Sequence, residues 1–120
     1  MSVEYENMRL LLLEHLRKLS DPVWRRENWA QGRPPVESWG SFDDFLDFLY
    51  DDSGVLNDPE GSLGYVLKND DEVSAISELR DSIDAGLSEG LDGEGDSLQH
   101  PGWEAITAAV QRAVRILTER

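Results

Sequence analysis

Residues 41–52 read SFDDFLDFLYDD, with three Phe, two Leu and a Tyr interleaved with five Asp. How these two sets separate decides what kind of fold the chain makes. With Phe42 at zero and about 100° per residue, Phe45, Leu46, Leu49 and Tyr50 fall between about −60° and +80°. On the same wheel Asp43, Asp44, Asp47 and Asp51 fall at about 100° to 200°. The helical period therefore sorts the stretch into an apolar side and an acidic side. Ser41 supplies a cap, Asp44 three residues later is a shortened capping-box partner, and Asp43 suits the positive end of a helix dipole. Phe48 breaks the pattern. Near about 240°, it lies between the directions of Asp44 and Asp52, so either it packs under a loop or it stands as one aromatic ringed by carboxylates.

The segments on either side extend the helical reading. Val3 to Leu19 contains no Gly or Pro and places Tyr5, Met8, Leu12, Leu16 and Leu19 on one side of a helix. Leu10 to Leu13 together span about 300° of the wheel, so Leu10 points away from that side. Either this helix is central or Leu10 meets another chain. In SDPVWRRENWAQG (20–32), Asp21 caps a short helix, Pro22 takes its first position, Gly32 stops it, and Trp24 and Trp29 anchor it. RPPVESWG (33–40) is an extended connector, because a residue before proline is pushed out of helical geometry.

After Tyr50 comes a loop with a helical turn around Pro59 to Leu67, in which Leu63, Val66 and Leu67 face inward. Asn69 or Asp70 caps a helix from Asp71 to about Ser88, striped by Val73, Ile76, Leu79, Ile83 and Leu87 and ended by Gly90. EGLDGEGDSLQH (89–100) reads as an exposed acidic, Gly-rich loop. A last helix starts at Pro101 and carries Trp103, Ile106, Val110, Ala113, Val114 and Leu117 on one side. No stretch alternates β-branched residues with a period of two. The expected architecture is all-α: one helical domain over 1–120, an irregular bundle of four main helices plus one or two short ones.

The bulk properties fit such a domain. The chain has 120 residues, 39% hydrophobic and 30% charged, with four Trp, which is enough for a core without disulfides or metals. With no Cys, thiolate catalysis and Cys-ligated zinc are excluded. The apolar run near the N-terminus is too short for a signal peptide or a membrane span, so the cytoplasm is the expected location. Net charge is −14 and is unevenly placed. Residues 37–104 hold 19 acidic residues against Lys68 and Arg80, a net of −17, whereas the flanks are net +3. Such a field repels nucleic acid and anionic membranes and speeds encounter with a basic protein. It serves either solubility alone or the steering of a partner.

Searches for chemistry come back empty. Asp92, Glu94 and Asp96 open like a calcium loop, but Ser97 stands where the invariant Gly belongs and Trp103 where the bidentate Glu belongs. His15 and His100 have no nucleophile motif nearby, and His100 is placed to cap the helix at Pro101. There is no nucleophile elbow, phosphate loop, dinucleotide fingerprint or HExxH. No catalytic, cofactor-binding or metal-ligating residue is therefore expected, and the chain reads as a non-enzyme. Arg25, Arg26 and Arg33 lie among Trp24, Trp29 and Trp39, and Arg112, Arg115 and Arg120 run along the last helix. These arginines either stack on bases or pair with the acidic middle of the chain itself.

GYVLKNDDEV (64–73) and HPGWEAITAAVQRAV (100–114) resemble a family of small, acidic, uncharacterised bacterial proteins, common in actinobacteria. The resemblance covers about half the chain, from Gly64 to Leu117, and its motifs pack and cap helices. In general style the chain is also similar to immunity proteins of toxin systems, which cover basic nucleases with carboxylates. The resulting expectation is a domain that binds a basic protein through Asp43, Asp44, Asp47, Phe48, Asp51 and Asp52. Two alternatives stand beside it. One is a structural or regulatory protein that forms a homodimer through Leu10 and Leu13 of the first helix. The other is a DNA mimic, which requires the acids of 42–50 and of 71–88 to line one ridge.

Overall fold

The computed structural model describes residues 3–29, 42–91 and 100–119. Among the described residues five α-helices follow one another: α1 (Glu6–Leu19), α2 (Pro22–Trp29), α3 (Phe42–Asp47), α4 (Asp70–Ser88) and α5 (Gly102–Thr118). A π turn, Phe48–Asp52, continues α3, and a 3₁₀ turn, Glu60–Ser62, precedes α4. Among the described residues there is no strand, only an isolated bridge between Leu63 and Leu67. The fold is all-α.

Local chemistry sets the helix ends. The Asp21 carboxylate accepts from the Val23 and Trp24 N–H groups at 2.9 and 3.3 Å, with Pro22 at the first helical position where no N–H is needed. Asn69, in extended geometry, accepts from the Glu72 N–H at 3.0 Å, and three acidic residues fill the first turn of α4. Gly90 takes φ +94 just past the end of α4, a left-handed conformation that favours glycine. The Ser41 cap, the Gly32 stop, the 33–40 connector and most of the 89–100 loop lie outside the described residues.

Helices α4 and α5 form an antiparallel pair. Gly86 and Gly102 meet at one end, where a Cβ on Gly102 would sit 3.4 Å from the Gly86 Cα and 3.0 Å from His100 Nδ1. Farther along, Glu78 pairs with Arg112. His100 ties this end: its Nδ1 accepts from the Gly102 N–H at 2.9 Å, which leaves Nε2 to donate to the Glu89 carbonyl at 3.3 Å. Leu12, Leu16 and Leu19 of α1, Phe42 and Phe45 of α3, and Ile76, Leu79 and Ile83 of α4 are almost completely buried in one core with Trp103 and Ile106 of α5. The aromatic part is continuous, because Trp29 lies edge-on to Phe45 at 5.2 Å and Phe42 leans on Trp103 at 5.1 Å.

Three expectations about facing are corrected. Leu63 is 41% exposed instead of inward, because Gly64 with φ +88 turns the chain directly after it. Leu87 is exposed too, and the inward stripe of α4 keeps Ile76, Leu79 and Ile83 but is completed by Glu72, Ala75 and Gly86. Glycine occupies the seam there because α5 comes too close for a larger residue. Tyr5, just before α1, is exposed and Leu10 on α1 is 61% exposed, so the helix is not wrapped on all sides. The inward position after Met8 belongs to Arg9.

Arg9 is the center of a buried polar clasp. Its two terminal nitrogens donate to the two Glu72 carboxylate oxygens at 2.8 Å each, and also to the carbonyls of Val66 and Leu117 at 2.9 Å. Glu72 Oε1 accepts a further bond from the Lys68 N–H at 2.7 Å. The side chains are 8% and 3% exposed. The fork joins α1, the turn before α4, the first turn of α4 and the last turn of α5, and its planar, two-pronged match is what guanidinium geometry favours.

Candidate partner-binding face

The five expected carboxylates, Asp43, Asp44, Asp47, Asp51 and Asp52 on α3 and the π turn, are all solvent-exposed. The opposite side of α3 is held in the core by Phe42, Phe45 and Leu49, so the acidic side is fixed outward by apolar burial on the other.

Four of the chain's described arginines are engaged elsewhere. Among the described residues, ion pairs join Arg9 to Glu72, Arg80 to Asp81 at 3.6 Å, and Arg112 to Glu78. Arg25 is buried and donates to the Leu19 carbonyl and to Thr107 Oγ1 at 3.0 Å, with its guanidinium 4.5 Å from the Trp103 ring center. That placement removes Arg25 from any surface for bases. Arg33, Trp39 and Arg120 lie outside the described residues. Asp43, Asp47, Asp51 and Asp52 make no ion pair with a described residue.

Phe48 does not stand in the ring of carboxylates. It is 7% exposed and stacked on the His15 imidazole, with ring centers 3.8 Å apart and planes 5° apart. A wheel with one buried sector assumes one neighbour, but this segment has two. Phe42 and Phe45 meet the tryptophans, whereas Phe48 meets α1. The helix also widens at this point, the Ser53 N–H reaching back to the Phe48 carbonyl at 2.8 Å. Of the expected set, only the carboxylates are exposed.

Two titrating groups border the face. Burial holds His15 below its ordinary pKa of 6.5, opposed by the Leu11 carbonyl that accepts from Nδ1 at 2.7 Å and by Glu14 and Asp52, and reinforced by Lys18. The unfolded chain binds the His15 proton more readily, so this group lowers stability as pH falls through 6.5. Against His15→Gln, the wild type should lose additional stability, under about 1 kcal/mol for a half-buried group, between neutral pH and about pH 5. Parallel thermal-unfolding profiles for the two proteins across that window would refute it. Tyr50 donates to Asp84 Oδ1 at 2.8 Å. Burial first, then the bond and charge of Asp84, push its phenol well above the ordinary value, with Arg80 opposing.

That Tyr50 bond brings one acid of α4 up beside the π turn, yet Glu78 turns to α5 and Glu72 is buried. Of the acids of α4, therefore, Asp84 is tied to the π turn, Glu78 to α5 and Glu72 to the buried clasp. Of the leucines expected at a homodimer seam, Leu13 is partly buried against the core and Leu10 is exposed, as is Leu11. Among the described residues no group of three or more His, Cys, Asp or Glu could hold a metal ion, and the Asp92, Glu94, Asp96 segment lies outside them. No described helix is long and apolar enough to cross a membrane.

Comparison with known proteins gives a family without an activity. A family model described as a domain of unknown function, DUF7945, matches residues 3–120. No curated protein and no solved structure matches the chain.

Proposed function

Since the chain belongs to DUF7945, a domain family of unknown function, its role must be read from its own surface, and we propose a non-enzymatic domain that binds a basic protein. In this reading it is an antagonist of immunity type, acting in the bacterial cytoplasm. The supporting observation is the division of charge: Asp43, Asp47, Asp51 and Asp52 are exposed and make no ion pair with a described residue, while Arg9, Arg25, Arg80 and Arg112 are engaged within the fold. Fixed carboxylates on a helix backed by a core steer a cationic partner and select against anionic ones.

Capture from the native host at low salt, followed by elution with rising salt, should recover a basic protein. The variant with Asp43, Asp47, Asp51 and Asp52 changed to Asn should fail to retain it, although exposed substitutions of this kind change stability by only about 0.5 kcal/mol each. Recovery of no basic protein, or equal recovery by the neutralised variant, would remove the proposal. A second reading, self-association, draws on the exposure of Leu10 and Leu11. Light scattering that finds a monomer at every concentration would end it.

A further inference from the structure

We infer that Tyr5 and Tyr65 form an apolar docking platform for a partner segment that combines lysine or arginine with an apolar side chain. The inference rests on the reading of the chain as a domain for a basic protein, and it adds an aromatic contact surface where Phe48 is buried.

Both tyrosines are exposed, by 54% and 47%, and Leu63 in the same turn by 41%. The rings stack with centers 5.8 Å apart and planes 26° apart. Two large aromatic surfaces shielding each other but open to solvent on their outer sides are the composition of an interface center.

Their support is rigid. The segment before α1 is bonded alongside the turn, with the Tyr5 N–H donating to the Tyr65 carbonyl at 2.8 Å and the Glu4 N–H to the Gly64 carbonyl at 3.0 Å. Directly beneath, Arg9 bonds the Val66 carbonyl, which couples the platform to the buried clasp. Such fixation lowers the ordering cost on association. It also gives the clasp a role beyond holding helices together.

Charge selects the occupant. Glu4, Glu6 and Glu60, next to the tyrosines and Leu63 in the chain, are exposed and make no ion pair among the described residues, against the one exposed Lys68. Arg9 is buried and matched by Glu72. Negative ring faces beside carboxylates favour a cation, and Leu63 favours an apolar neighbour to it.

Two probes separate this inference from the acidic-face reading: a short oligolysine, and a short peptide of alternating lysine and leucine, each followed by amide chemical shifts at low salt. Oligolysine should shift residues 43–52 and be indifferent to Tyr65→Ala. The lysine–leucine peptide should also shift Tyr5, Leu63 and Tyr65, and bind about tenfold more weakly to Tyr65→Ala or Leu63→Ser. If that peptide leaves residues 5 and 63–65 unshifted, or binds both variants as well as the wild type, the platform is overturned. If oligolysine fails to shift 43–52 while the tyrosines respond to the mixed peptide, the acidic face fails and the platform stands.

Discussion

Arg9→Met should destabilise the fold by about 3–5 kcal/mol, because it leaves the Glu72 carboxylate buried without its counterion. Glu72 is 3% exposed at its side chain, and the bond from the Lys68 N–H cannot replace a bidentate guanidinium. The carbonyls of Val66 and Leu117 lose donors as well. The double variant Arg9→Met with Glu72→Leu should recover most of the loss, since a buried ion pair replaced by apolar groups of similar volume is often neutral or better. Urea unfolding of the three proteins measures both claims. A single variant within about 0.5 kcal/mol of wild type, or a double variant worse than the single, would show that the fork does not bear on stability.

The clasp also marks where sequence reading stops. Periodicity and caps locate α1, α4 and α5 because those signals are local: the Asn69 cap acts within three residues, and the glycine past α4 needs only its own φ. The Arg9–Glu72 pair is separated by 63 positions, and nothing in either neighbourhood distinguishes these two charges from the other 34. Their burial follows from how α1 meets the α4–α5 pair, which is a tertiary fact. The same limit explains Leu63 and Leu87, whose hydrophobicity suggests burial but whose direction is set by Gly64 and by the close approach at Gly86. The acidic side of this segment was legible, since Asp43, Asp44, Asp47 and Asp51 fall on one arc and need only a helix to be brought together. The tyrosine platform was not, because Tyr5 and Tyr65 become neighbours only when the N-terminal segment lies along the turn.

Phe48→Ala provides the sharpest division between core and contact surface. A solvent-facing aromatic can be truncated at a cost within about 0.5 kcal/mol, whereas removal of a buried phenylalanine costs about 3–5 kcal/mol. Phe48 is stacked on His15 and 7% exposed, so the larger figure is expected in chemical denaturation. A second readout follows from the ring beneath it. Opening the space above His15 admits water and relieves the burial that depresses its pKa, so the imidazole titration should move up toward its ordinary value. Phe48→Leu retains apolar volume and should keep the fold, although without the flat stack. Because Asp43, Asp47, Asp51 and Asp52 are held outward by Phe42, Phe45 and Leu49, the leucine variant should bind a cationic partner as the wild type does. An alanine variant as stable as the wild type, together with weakened partner binding, would return Phe48 to the surface and make it an anchor amid the aspartates after all.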